Sequence, residues 1–103
     1  MTKEKIMETS PVPKEQNKEV RHKELCAKIH DTYVRKNHDY GDSFHKSFEE
    51  WGITAAAVRI EDKFNRFKNL SRNPDFMVKD ESLEDTLLDM ANYCLLTILE
   101  LQS

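Results

Sequence analysis

Glu81, Asp85 and Asp89 stand at i, i+4 and i+8, and Asn92 and Tyr93 follow them. On a helix this spacing sets three carboxylates along one edge, where like charges four apart repel. Part of the pattern has an ordinary reading. Acids in a first turn favour the helix dipole, and Asp85 stands three residues after Ser82 as its partner in a capping box. Asp89 lies deeper, among Leu87, Leu88, Met90 and Ala91, and escapes that reading. Upstream, Arg59, Lys63 and Arg66 at i, i+4 and i+7 form a basic edge, with Glu61, Asp62 and Asn65 beside it. Alone, that edge is a solvated face laced by pairs such as Asp62 with Arg66. Together the two edges describe a site. Carboxylates from two helices (Glu61, Asp62, Asp85 and Asp89) can share Mg²⁺, which takes oxygen ligands and keeps waters for substrate phosphates. Lys63, Arg59 and Arg66 would then grip the phosphate oxygens. The arrangement requires two helices side by side, with Asp62 and Asp89 converging on one spot.

A third cluster runs from Lys36 to Asp42. One reading is a glycine-ended helix cap followed by a turn. The other is a binding loop, in which Tyr40 stacks on a base and Lys36, His38 and Asp39 make polar contacts. The residues leave both open. His22, His30, His38 and His45 show no zinc-ligand spacing with Cys26 and Cys94, and the two cysteines read as a reduced pair.

The elements that must position these groups are helical. Only two glycines and three prolines occur in 103 residues, too little turn punctuation for a β-sandwich or a Rossmann unit. Residues 1–13 read as a flexible arm, and residues 14–103 as one all-helical nucleotide-binding domain. Val20, Leu25, Ile29 and Tyr33 predict a helix over residues 14–36, ended at Asn37–Ser43. Phe44, Phe48 and Trp51 form a short aromatic link stopped by Gly52. Ala57, Ile60, Phe64, Phe67 and Leu70 predict a helix over residues 54–71, and the stripe from Leu87 to Leu101 predicts a last one from Ser82. The fold class is all-α: a small bundle of three long helices plus the aromatic link. With 38% hydrophobic residues the core is thin, and the last helix is apolar over more than one face, so oligomerisation to a homodimer or tetramer is expected to complete it. A formal net charge of −3 argues against general nucleic-acid binding. The lack of a secretory h-region or a long apolar run points to the cytoplasm and away from membranes.

The runs K-N-H-D-Y-G-D-S-F (Lys36 to Phe44), R-I-E-D-K-F-N-R-F (Arg59 to Phe67) and E-S-L-E-D-T-L-L-D-M-A-N-Y (Glu81 to Tyr93) resemble the nucleotide modification associated domain 1 family, found largely in bacteriophages and bacteria. More distantly the chain is similar to the all-α nucleoside triphosphate pyrophosphohydrolases of the MazG and dimeric dUTPase type. Those enzymes place E-E-x-x-E on one helix and an E-x-x-D type motif on the next to bind Mg²⁺. Glu61, Asp62 and Asn65 fall at the first motif, Asp85 and Asp89 at the second. The resemblance implies a Mg²⁺-dependent pyrophosphohydrolase of phage nucleotide metabolism, in the host cytoplasm. Its substrate would be a nucleoside triphosphate of the deoxynucleotide kind, with Asp62, Asp85 and Asp89 catalytic. Asn65 departs from the pattern by replacing an acid, which favours the alternative of a protein that binds a nucleotide or nucleotide signal without turnover, as in phage anti-defence. A helical scaffold is the third reading.

Overall fold

The computed structural model describes residues 14–40, 42–72 and 80–103; the side chains of residues 14–16, 39, 40 and 80–82 lie outside the description. The arm at residues 1–13 and the loop at residues 73–79 therefore fall outside it too. The described residues are helical: α1 (Lys14–Tyr40), α2 (Ser43–Trp51), α3 (Ile53–Arg72) and α4 (Asp80–Gln102). Residues 1–32 and 33–103 are two compact units, and the boundary between them falls within α1.

In the first unit the described part of α1 carries charge on most faces, and Val20 and Leu25 are exposed. Helix α1 runs four residues past the predicted end, taking in Asn37 to Tyr40. Asn and Asp are only mildly unfavourable in a helix, and Gly41, which follows directly, is a stronger stop.

The second unit is built on α3 packed along α4, with α2 set against both. Three consecutive alanines (Ala55 to Ala57) favour α3, and leucine-rich turns favour α4. Ala56, 1% exposed, lets the two backbones approach closely. The inward line of α3 is Ala56, Ile60, Lys63, Phe67 and Leu70, at i, i+4, i+7, i+11 and i+14. The expected stripe is corrected at two points: Ala57 and Phe64 are exposed, and Ala56 and Lys63 take the inward places. Thr86 and Thr97 are the buried groups of α4. Thr97 Oγ1 donates to the Tyr93 carbonyl at 2.7 Å, so its hydroxyl is satisfied within the helix.

Phe44, 8% exposed, pins α2 in place: its ring centroid lies 6.2 Å from Phe48 and 5.9 Å from Tyr93. Gly52 stops α2 with φ 67° and ψ −152°, donating its N–H to the Phe48 carbonyl at 2.7 Å. Its own carbonyl accepts from Ala55 N–H at 3.0 Å and so opens α3. Helix α4 starts at Asp80, so Ser82 lies inside the helix and not at its cap. No helix among the described residues is long and apolar enough to cross a membrane.

Candidate functional site

Residues of all four helices converge in the second unit around a cavity of about 310 Å³. Helix α1 supplies Tyr33, Lys36 and Asn37, and the start of α2 supplies Asp42, Ser43 and Phe44. Helix α3 contributes Arg59 and Lys63, and α4 contributes Asp89, Asn92, Tyr93 and Leu96. Each set follows from helix phase. Arg59 and Lys63 are one turn apart on the side of α3 that meets α4; Asp89, Asn92, Tyr93 and Leu96 recur at turn spacing on α4.

The walls carry three cations (Lys36, Arg59, Lys63) and two carboxylates (Asp42, Asp89). Lys63 Nζ lies 3.4 Å from Asp89 Oδ2, with side chains 24% and 39% exposed, so neither charge is fully desolvated. Arg59 Nη1 donates to Tyr93 Oη at 3.3 Å, and its guanidinium stands 5.8 Å from the Tyr93 ring centroid. That tyrosine orients Arg59 by hydrogen bond and ring face together. Asp42 occupies the N-cap position of α2 but makes no side-chain capping bond, so the first-turn N–H groups of α2 are not covered by it. A helix N-terminus left in that state favours an anion.

Of the residues named from sequence, Lys36, Arg59, Lys63, Asp89 and Asn92 line this cavity. Asp39 and Tyr40 lie outside the described side chains. His38 is exposed and outside the lining. Arg66 is exposed and donates from Nε to Thr86 Oγ1 at 3.2 Å, which ties α3 to α4 away from the cavity. Glu61, Asp62 and Asp85 are exposed and outside the lining as well. Asp62 precedes Lys63 by one residue, which is roughly 100° of helix rotation, so α3 turns Lys63 and not Asp62 toward Asp89. Among the described residues no group of three or more histidine, cysteine, aspartate or glutamate side chains could hold a metal ion. Cys26 and Cys94 are free and exposed.

Sequence reasoning passed over Tyr33, Phe44 and Leu96 as parts of the site, because apolar residues at helical spacing read equally well as core. Asp42 stood at the end of the candidate Lys36–Asp42 binding loop and was given no contact of its own.

Outside the cavity, His45 Nδ1 meets Glu100 Oε1 at 2.8 Å, and Nε2 lies 3.4 Å from Glu49 Oε2. The bond to Glu100 is the main reason the imidazole titrates above the ordinary histidine value. Partial burial opposes the rise, and the charges of Glu100, Glu49 and Asp42 add to it.

No curated protein and no solved structure matches the chain. The profile of one family, nucleotide modification associated domain 1, matches residues 36–101. That span contains α2, α3, all of α4 but Gln102, and every cavity residue except Tyr33. The chain belongs to the nucleotide modification associated domain 1 family.

Proposed function

We propose that the second unit binds a nucleotide or nucleotide-derived molecule in the Lys36–Arg59–Lys63 cavity. The observation that carries this reading is the convergence of three cations and the open N-terminal turn of α2 on one aromatic-edged cavity of about 310 Å³. Lys63 and Arg59 act as phosphate partners. An ammonium is a compact point charge and a guanidinium offers a planar fork, so the pair suits a phosphate approached from two sides. Tyr33, Phe44 and Tyr93 supply apolar surface for the base or sugar, and Asn37 and Asn92 supply donors and acceptors to orient it. The family's name fits such a ligand. Calorimetry on the full chain with deoxynucleoside mono-, di- and triphosphates tests the reading. Saturable binding that weakens with salt is expected, and Lys63→Met should weaken it about tenfold or more. Equal affinity in Lys63→Met and the unaltered chain contradicts it.

Hydrolysis of a nucleoside triphosphate to a monophosphate and pyrophosphate is the second reading, favoured by one observation: two carboxylates, Asp42 and Asp89, line the same cavity as the cations. Two carboxylates and neutral oxygens fall short of a resident cage, but they fit Mg²⁺ that arrives on the phosphates and keeps most of its waters. When bound, the ion would neutralise phosphate charge and activate water. Asp89 is then the residue to hold it, with Lys63 released from its ion pair to a phosphate oxygen. Glu61, Asp62 and Asp85 have no part in that scheme within one copy. Pyrophosphate release that needs Mg²⁺ and is abolished by Asp89→Asn supports turnover. Tight binding with the ligand recovered intact supports binding alone.

A further inference from the structure

Helix α4 presents two working faces. Asp89, Asn92, Tyr93 and Leu96 face the cavity. Roughly 180° around the helix, at 100° per residue, runs a second line of Leu87, Ala91, Cys94, Ile98 and Leu101. These five stand at i, i+4, i+7, i+11 and i+14, the spacing of a coiled-coil seam. Leu87, Ile98 and Leu101 are 42%, 49% and 64% exposed, Cys94 is exposed too, and Leu95 and Leu99 flank the line in the same state. Five large aliphatic side chains within about four turns of one helix are far more than scattered surface apolars.

We propose that this seam is covered by the same seam of a second copy, in antiparallel pairing centred on Cys94. Two observations choose a second copy. Phe44 and Ala56 are the only buried hydrophobic residues among those described, so the core is incomplete in one chain. The second observation is that the seam complements itself. Turned end for end about Cys94, it sets Leu87 against Leu101 of the second copy and the small Ala91 against the larger Ile98. The parallel alternative brings Glu84 beside Glu84, three residues before the seam begins at Leu87, and aligns the helix dipoles unfavourably, whereas the antiparallel one sends the two Glu84 side chains to opposite ends. Antiparallel pairing also leaves both cavities facing outward.

The test uses the full chain at micromolar concentration. Sedimentation should give twice 12.2 kDa, and Ile98→Asp should give the monomer with helical circular dichroism retained, because Ile98 is 49% exposed within its own copy. In a Cys26→Ser background, a short bismaleimide should join two chains through Cys94, and Cys94→Ser should abolish the product. With Leu87 changed to Cys in a chain lacking Cys26 and Cys94, linkage to a second chain carrying Leu101→Cys supports antiparallel pairing; linkage of Leu87→Cys to itself overturns it. A folded monomer at 100 μM, or a dimer indifferent to Ile98→Asp, overturns the proposal, and so does a seam covered by the chain's own arm or by another protein, since either leaves the chain monomeric alone.

Discussion

Lys63 illustrates how one side chain can serve two masters. It occupies an inward place on α3, where an aliphatic residue would ordinarily pack, and its ammonium reaches Asp89 at 3.4 Å. The four-carbon stem covers apolar surface while the charge stays at the cavity edge. Removing Lys63 alone should weaken phosphate binding and leave Asp89 without its partner. Lys63→Met with Asp89→Asn should therefore be less destabilising than the two single changes added together, which a double-mutant cycle of urea unfolding would measure. A second residue-scale expectation concerns His45. Its charged form is favoured in the folded state, mainly by the bond to Glu100, so its folded titration point is raised. The stability from that preference is fully present below the unfolded value of ~6.5 and is lost as pH rises through the higher folded value. Melting temperature should fall over that interval, and His45→Gln should flatten the fall. An unchanged slope in the variant would remove His45 as the cause. The basic edge itself was legible from spacing. Which of its neighbours faced inward was not, because Asp62 and Lys63 differ by one residue and only the packing of α3 on α4 fixes the phase.

At the scale of elements, two short features hold the layout. Gly52 adopts φ 67° and ψ −152°, a region closed to side-chain-bearing residues, between α2 and α3. A Cβ there would meet nothing within 4 Å, so the cost of Gly52→Ala is purely conformational. It should be of order 1–3 kcal/mol, seen as a lower urea midpoint at constant slope. Ala56 has the opposite problem, since its surroundings leave no room. Ala56→Leu should cost about 1–3 kcal/mol by forcing α3 from α4. A variant as stable as the parent would mean that the two helices do not pack tightly there. The helices were readable in advance from apolar periodicity, and the end of α2 from Gly52. The run through Asn37 to Tyr40 was not, because Asn and Asp favour turns locally yet are tolerated in the last turn of a long helix. The stripe on α3 was misphased for a related reason: Phe64 attracts any hydrophobicity argument, yet it stands outward, with Phe67 6.4 Å away and the Lys68 ammonium 5.1 Å from its ring.

For the molecule as a whole, order should be uneven along the chain. The described residues of the first unit include none that is buried, whereas α3 and α4 share a packed line. Amide exchange should accordingly be fast over residues 17–32 and slowest over residues 86–97. An all-helical fold followed from the scarcity of glycine and proline. The cavity did not, because it draws on four helices whose apolar faces look alike until they are assembled. The measurement that bears most directly on the central claim is a titration of the isotope-labelled full chain with a deoxynucleotide, read by amide chemical shifts. Binding in the cavity predicts concentration-dependent shifts at Ser43, Phe44, Lys63, Asp89 and Tyr93, with Glu61 and Asp85 far less affected. Spectra that stay unchanged at millimolar nucleotide, or shifts confined to residues outside the cavity, would contradict it.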